Sequence, residues 1–255
     1  MRFILKLFIV YTLLLIPVSF SMAQQITEVE ITAQTILARV DRFMQYAEGE
    51  LDGRLKHIYP DGRAFIVDFN GKIDKNNFLF TFISQSRGES LKVLYNFGGE
   101  DIWVYNIHAL RMFHKTGIDK YDSLLSTNFS FIDLSNSDFQ TNYNARVTGT
   151  VKIKGIDCYK LYLEPLFPES MYGAITMYVS VDKFHPLRID YHDRDKVIFK
   201  FLTLAKVMEN GGKSVPLRYD MLNIKEGTVT ILTFTRFDES IKYKPDIFRP
   251  EKLGE

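Results

Sequence analysis

The feature that most constrains the fold is a succession of short apolar segments separated by turn-forming residues. It begins after Gly49 and continues almost to the C-terminus. Examples are NFLFTFISQ, followed by the turn RGE, and DIWVYN, preceded by the turn GGE. Consecutive strands that are joined by tight turns pair with their neighbours and form an antiparallel meander. The sequence therefore predicts a mainly β protein with eleven or twelve antiparallel strands and no helix-length pattern between them.

Several of these segments are apolar on both faces. In DIWVYN, Trp103 and Tyr105 share one face of the strand, while Ile102 and Val104 occupy the other. Parallel sheets between two helix layers show this pattern, but the alternation of strands and helices that they need is absent here. We therefore infer a strongly curved antiparallel sheet whose concave side wraps a helix or an apolar cavity.

One amphipathic helix precedes the strands, in the segment TAQTILARVDRFMQYAEG. Apolar residues from Ile36 to Ala47 recur at helical spacing and form a single stripe. Thr32 is a suitable N-cap and Gly49 a suitable end. Asp41 lies off the apolar stripe, and we expect it to face water.

A polar segment, residues 116–139, connects the two runs of strands and has no sustained periodicity. We interpret it as a long excursion with one or two short helical turns across the mouth of the sheet. Loops of this length within a compact domain are uncommon and are often functional covers. A plain connecting crossover is the alternative.

The N-terminus has the three-part layout of a secretory signal peptide. Arg2 and Lys6 precede an apolar core, and small residues lead to a cleavage site after Ala23. A membrane anchor is the alternative, but the uncharged run Leu7–Met22 is shorter than the about 20 residues that cross a bilayer. We therefore expect residues 1–23 to be removed on secretion.

Composition and motifs argue against several function classes. The chain has 32 Lys and Arg against 31 Asp and Glu, so its charge gives no reason to expect a nucleic-acid partner. Cys158 is the only cysteine, which rules out an internal disulfide, and we expect it to be buried in a strand. The acids of DYHDRDK are typical of a hairpin turn at residues 193–196 rather than of a metal site. Because no HExxH or G-x-S-x-G motif occurs, we expect no catalytic residues, metal or cofactor.

Several segments occur together in an order that resembles a known family. They are the helix TAQTILARVDRFM, the strand NFLFTF, the stretch LKVLYNFGGEDIWVYNIHALRMF with the following LLSTNFSFIDLS, the hairpin IDYHDRDKVIFKFLTLAKV and the terminal YKPDIFRPEKL. This ordered set resembles the LolA-like outer-membrane lipoprotein-sorting family. The stretch NIHALRM departs from that family, which usually has a proline in this turn.

The resemblance implies an unclosed β-barrel of about eleven antiparallel strands with helices on its concave face, in a single domain over residues 24–255. It also implies a periplasmic carrier or chaperone that binds the acyl chains of lipoproteins or lipids. Such a carrier receives its cargo from an inner-membrane exporter and passes it to an outer-membrane acceptor. We expect a monomer, and Arg39, Arg42 and Arg63 are the candidates for a gating arginine.

The expected lipid-binding residues are the apolar and aromatic side chains of three predicted strands. They are Phe65, Val67, Phe80, Phe82, Trp103 and Tyr105. Ordinary core packing is the alternative for each of them. The alternative functions are a lipid shuttle that serves an RND-type exporter, an envelope interaction module that holds no lipid, and an enzyme with a site between sheet and lid.

Overall fold

The computed structural model describes residues 31–135, 138–210 and 212–255. The predicted signal peptide, residues 1–23, lies outside the described residues and stays a prediction. No helix among the residues described is long and apolar enough to cross a membrane.

Two α-helices and thirteen strands make up the described chain. In order, they are α1 (Ala33–Met44), β1 (Gly49–Ile58), β2 (Ala64–Asp74), β3 (Asn77–Ser84), β4 (Glu89–Asn96), β5 (Asp101–Asn106), β6 (Arg111–Lys115), α2 (Phe139–Asn142), β7 (Tyr143–Ile153), β8 (Ile156–Pro165), β9 (Ala174–Ser180), β10 (Pro186–His192), β11 (Ile198–Asn210), β12 (Lys213–Asn223) and β13 (Thr228–Asp238). Short 3-10 turns occur at Phe97–Gly99, Gly117–Tyr121, Leu124–Ser126, Ile132–Leu134, Pro245–Phe248 and Pro250–Lys252.

All thirteen strands form one antiparallel sheet in the order β6-β5-β4-β3-β2-β1-β13-β12-β11-β10-β9-β8-β7. The chain therefore builds two meanders, β1–β6 and β7–β13, which are joined where β1 pairs with β13. Strands β6 and β7 are the two edges, so the sheet is unclosed. The predicted mainly β, antiparallel and unclosed architecture is confirmed.

The strand count exceeds the predicted eleven or twelve because the segment after Asn106 folds back as a separate strand, β6. The Asn106 side chain accepts hydrogen bonds from the backbone N–H groups of His108 and Ala109, at 3.0 and 2.8 Å. Leu110 adopts a left-handed φ of 52°. These features turn the chain without glycine or proline, so no local turn residue marked β6 as a separate strand, although the family resemblance implied a turn at NIHALRM.

Irregular pairing bends the sheet at several strands. The register shifts between Asp52 and Gly53 in β1, between Tyr191 and His192 in β10, and again in β11 after Leu204. Bulges of this kind increase local twist and bend a strand. They account for the curvature that was inferred from the two-sided apolar pattern.

The stretch NGK around Gly71 is typical of a turn in the sequence, but the chain does not turn there. The residue lies inside β2, where it pairs with Phe80 of β3. A Cβ atom at residue 71 would lie 2.4 Å from the Phe80 ring. Glycine is therefore needed here because an aromatic ring lies over the strand, and not because the chain turns.

Helix α1 starts as predicted, with the Thr32 hydroxyl accepting a hydrogen bond from the Thr35 N–H at 3.2 Å. Its apolar residues Ile36, Leu37 and Val40 are fully buried against the sheet. The helix ends at Met44 rather than near Gly49, because Gly49 already belongs to β1 and pairs with Ile73 of β2.

The central strands are apolar on both faces because each face is covered by a different part of the chain. We call the face that packs against α1 the inner face, and Ile102 and Val104 of β5 lie there in the main core. Trp103 and Tyr105 lie on the outer face, under the C-terminal residues Phe248 and Leu253. The C-terminal segment thus covers the outer face of β4 and β5.

The C-terminal cover can be tested with Phe248→Ala. Phe248 is 5% exposed, and its removal leaves a hole beside Leu94 and Trp103. We expect the free energy of unfolding to fall by about 3 kcal/mol, measured by denaturant titration with Trp103 fluorescence as the probe. The control Phe167→Ala removes a ring that is 51% exposed and should change stability little. Equal stability of the two variants would contradict the assignment of Phe248 to a buried cluster.

Candidate functional site

A cavity of about 830 Å³ lies between α1, the inner face of β9–β13 and the segment that joins the two meanders. We call that segment, residues 116–135 and 138–142, the roof. Cavities of about 300–1,000 Å³ are typical of small-molecule sites. The prediction that residues 116–139 form an excursion with short helical turns is confirmed, but the turns are more numerous than the one or two predicted: the segment holds three 3-10 turns and the start of α2.

The floor of the cavity is apolar and is built from alternate residues of the last five strands. They are Ile175 of β9, Tyr191 of β10, Leu202 of β11, Tyr219 and Met221 of β12, and Leu232 and Phe234 of β13. Residues two apart on a strand point to the same face, so each pair on β12 and β13 faces the cavity. None of these side chains is more than 6% exposed.

The roof is fastened to the floor by a buried ion pair. The Lys200 Nζ of β11 lies 2.6 Å from Asp133 Oδ2, and the two side chains are 6% and 3% exposed. Asp133 also accepts hydrogen bonds from the Tyr172 hydroxyl at 2.6 Å and the Ser130 N–H at 2.7 Å. The Lys200 ammonium lies 5.1 Å from the centre of the Tyr191 ring. A buried pair needs such additional partners to offset the loss of hydration.

The Tyr172 hydroxyl, which donates to Asp133 of this ion pair, keeps its proton. Burial, and then the negative charge of Asp133, raise the pKa of Tyr172 well above its ordinary value. The Tyr172 hydroxyl therefore remains a hydrogen-bond donor to Asp133 at physiological pH.

A second fastening joins the roof to the turn between β12 and β13. The side-chain amide of Asn128 donates to the carbonyl oxygens of Met221 and Thr228, both at 3.0 Å. The Thr228 hydroxyl donates to Asn128 Oδ1 at 2.8 Å, and the Asn128 N–H donates to the Thr230 hydroxyl at 2.9 Å. These four bonds fix the roof across the end of the cavity.

A third fastening uses Asp41 of α1, which was expected to face water. That prediction is wrong, because Asp41 is only 6% exposed. Its carboxylate accepts hydrogen bonds from the N–H groups of Phe139 and Gln140, at 3.0 and 2.9 Å, and so caps the start of α2. The first N–H groups of a helix have no partner within the helix and are stabilised by a nearby carboxylate. This explains why the charged Asp41 is buried beside the apolar stripe of α1.

The opening of the cavity is surrounded by exposed charged side chains, more of them basic than acidic. They are Arg39, Arg42, Lys183 and Lys213 on the basic side, and Asp138 and Glu239 on the acidic side. We call this set the rim. Lys183 is paired with Glu209 at 2.8 Å. Of the three candidate gating arginines, Arg39 and Arg42 lie on the rim, whereas Arg63 lies in the β1–β2 turn, paired with Asp61.

Aromatic contacts hold α1 against the turn between β9 and β10 at the rim. The Arg39 guanidinium lies 4.1 Å from the centre of the Phe184 ring, and the Phe43 ring stacks on His185 at 4.2 Å. Burial lowers the pKa of His185, and the neighbouring Lys183 adds to the effect. The imidazole is therefore neutral at neutral pH, and the positive charge of the rim comes from its arginines and lysines.

The six residues expected to bind lipid do not line this cavity. Phe65, Val67, Phe80 and Phe82 lie on the inner face of β2 and β3, 0–7% exposed, in the packed core. Trp103 and Tyr105 lie on the outer face under the C-terminal segment. The structure thus places the cavity under the second meander. Alternating apolar residues in LRYDML and TILTF of β12 and β13 were the available signal.

Other chemistry is sparse in the part of the chain described. No group of three or more His, Cys, Asp or Glu residues there could hold a metal ion. The predicted turn at 193–196 is confirmed, with the Asp193 side chain accepting from the N–H groups of Asp195 and Val197 at 3.0 and 2.9 Å. Cys158 is buried in β8 as expected, and burial raises the pKa of its thiol.

Solved structures with a similar fold include proteins from three bacteria. A LolA superfamily protein from Nitrosomonas europaea is 18% identical with a TM-score of 0.74, and the match covers 88% of this chain and 100% of that one. An outer membrane lipoprotein-sorting protein domain from Vibrio parahaemolyticus is 17% identical with a TM-score of 0.73, over 86% and 97% of the two chains. A DUF1329 family protein from Desulfovibrio piger is 20% identical with a TM-score of 0.74, also over 86% and 97%.

No curated protein matches the sequence. A family model, described as "Uncharacterized protein"-like, matches residues 74–255. The resemblance to LolA-like proteins that the sequence motifs indicated is confirmed at the level of the fold. Since the family model covers well over half of the chain, the protein belongs to that family, and its fold is the open β-sheet fold of LolA superfamily proteins.

Proposed function

We propose that this protein is a carrier that binds the acyl chains of lipids or lipoproteins in the cavity beneath the roof. The observation that carries the proposal is a cavity of about 830 Å³ with an apolar floor and a roof of the protein's own chain. Burial of each methylene contributes about 0.8 kcal/mol, so an acyl chain gains on the order of 10 kcal/mol in gross transfer energy. Binding of this kind requires no chemical reaction.

Localisation and partners form part of the same proposal. The predicted signal peptide would deliver residues 24–255 to the periplasm, where an exporter in the inner membrane would load the carrier. An acceptor in the outer membrane would then receive the cargo. The likeness in fold to an outer membrane lipoprotein-sorting protein domain from Vibrio parahaemolyticus supports a link to the outer membrane.

The lining that we propose for the acyl chain is the floor set, in place of the six residues expected from the sequence. The four inner-face members of that earlier set are in contact with one another, for example Phe80 with Phe82 at 5.8 Å between ring centres. An acyl chain placed there would displace core packing. The floor residues face an existing space instead.

A carrier must also keep its cargo covered in transit, and the roof supplies the cover. Because Asp133 of the roof is paired with Lys200 of β11, the roof cannot lift without separating two buried charges. The charged rim would keep a polar head group in water while the chain lies on the floor. A site with an apolar floor and a charged rim suits an amphiphile better than a fully apolar ligand.

The first test is to fill the cavity. Replacing Leu202 and Leu232 together by Trp places two indole rings on the floor, where the existing space accommodates them with little strain. We expect the variant to fold and to lose most of the lipid that co-purifies with the wild type. Both outcomes are checked on protein from the periplasm. Native mass spectrometry reports the folded state and the bound lipid, and solvent extraction quantifies that lipid.

The matched control places the same two rings outside the cavity, in Leu166→Trp with Val197→Trp, at positions 57% and 59% exposed. This control should retain lipid. A wild-type protein that purifies without lipid, and binds none when it is added, would contradict the carrier and favour an interaction module.

The second test concerns the roof. Lys200→Met leaves the Asp133 charge buried without its partner, and we expect the free energy of unfolding to fall by about 3–5 kcal/mol. Adding Asp133→Asn removes that charge and should restore part of the loss, as measured by chemical denaturation. The control Arg146→Met breaks a pair whose side chains are 61% and 46% exposed, and it should change stability little. Equal losses in the single and double Lys200 variants would show that the roof is not anchored by charge.

A further inference from the structure

Tyr191 and Tyr219 are the two floor residues whose side chains carry a polar group, and of these two hydroxyls only that of Tyr219 is buried without a hydrogen-bond partner in the described part of the chain. Tyr219 lies in the middle of β12, where it pairs with Leu204 of β11 and with Leu232 of β13. The residue is 6% exposed and its side chain lines the cavity. Its flanking floor residues, Leu232 and Met221, offer no oxygen or nitrogen in their side chains.

The Tyr219 hydroxyl has no hydrogen-bond partner among the residues that the structure describes. Three other tyrosines that line the cavity have one. The Tyr46 hydroxyl donates to the Leu134 carbonyl at 3.3 Å, the Tyr121 hydroxyl to Ser170 at 3.2 Å, and the Tyr172 hydroxyl to Asp133 at 2.6 Å. A buried hydroxyl without a partner destabilises a fold, whereas phenylalanine at the same place would not.

The hydroxyl is available as a donor as well as an acceptor. Burial raises the pKa of Tyr219 far above its ordinary value, so the group is protonated at any physiological pH. The phenol groups of Tyr46 and Tyr191 also lie near Tyr219, but no side chain that the structure describes hydrogen-bonds to its hydroxyl. Its partner must therefore come from what occupies the cavity.

We propose that Tyr219 is a specificity-determining residue, whose hydroxyl donates a hydrogen bond to an oxygen atom carried on the acyl portion of the ligand. The inference rests on the proposed carrier function and adds to it the chemical class of the cargo. An unsubstituted alkyl chain leaves the hydroxyl unpaired and displaces any water that could pair with it. A chain with a hydroxyl substituent, or an ester carbonyl beside the chain, satisfies it. Selection by a buried polar group is strong because the wrong ligand leaves that group unsatisfied.

The experiment compares ligands that differ only in the oxygen. One arm uses 12-hydroxystearic acid, 3-hydroxypalmitic acid and their unsubstituted parent fatty acids, to test a hydroxyl on the chain. The other uses a diacylglycerol and its dialkyl ether analogue, to test an ester carbonyl. Affinities are measured by displacement of a fluorescent fatty acid from delipidated wild-type protein and from Tyr219→Phe.

We expect the wild type to prefer the oxygen-bearing member of at least one arm by about tenfold, the effect of one hydrogen bond. Tyr219→Phe should lose that preference and bind the plain chain as well as the wild type does. Its melting temperature without ligand should equal or exceed that of the wild type. A gain in stability with a loss of selectivity is an outcome that a merely structural role for the hydroxyl does not produce.

The matched control is Tyr95→Phe. Tyr95 is fully buried outside the cavity and its hydroxyl donates to the Phe131 carbonyl at 3.0 Å. This variant should melt at a lower temperature and keep the ligand preference unchanged. Two results would overturn the role of Tyr219 and leave the carrier function standing. One is that the wild type binds both members of each ligand pair equally. The other is that the preference for the oxygen-bearing ligand survives in Tyr219→Phe. Failure of every acyl ligand to bind would overturn both proposals.

Discussion

The pairing of β1 with β13 is the constraint on which the rest of the molecule depends. It joins the first and last strands of the domain, with Leu55 opposite Leu232, and turns two separate meanders into one sheet. Without it, the inner face would end at β1, and α1 would have no continuous surface to pack against. The floor of the cavity includes Leu232 and Phe234 from β13 itself. The same pairing therefore supports the core and the site.

The inner face of this sheet is used in two different ways. Under β2 and β3 it is filled by aromatic rings, such as Phe69, Phe80 and Phe82, which pack edge to face or tilted against one another. Under β9–β13 it is kept open by the roof, whose polar fastenings at Asn128 and Asp133 hold it in place without filling the space. A dense half and an open half within one sheet allow the protein to be stable while it retains a cavity.

The architecture could be predicted from the sequence because its signals are local. Turn residues between apolar segments specify a meander, and the Thr32 cap marks the start of α1. The residue at which α1 ends could not be predicted from local signals. Gly49 is a good helix terminator, but here it starts β1, where a Cβ would lie 2.2 Å from the Asp238 carbonyl oxygen. Contact with a strand distant in sequence decided its role.

The site was predicted less well than the fold, for a physical reason. Strands that are apolar on both faces show that both faces of the sheet are covered, but they do not show which segment of the chain covers each face. Trp103 is covered by Phe248, a residue far along the chain, and no periodicity encodes that contact. Asp41 was misplaced because its carboxylate accepts hydrogen bonds from the N–H groups of Phe139 and Gln140, which lie 98 and 99 residues further along the chain. Such polar contacts over long sequence separations are invisible to a residue-by-residue pattern.

The two free edges, β6 and β7, have a mechanical consequence. In a closed barrel, strand number and shear together set the radius, and the enclosed volume is then fixed. No ring of hydrogen bonds imposes such a radius here, so small changes of twist at the bulges of β10 and β11 can widen or narrow the curve. A sheet that flexed in this way would accommodate ligands of different width with every hydrogen bond between its strands intact.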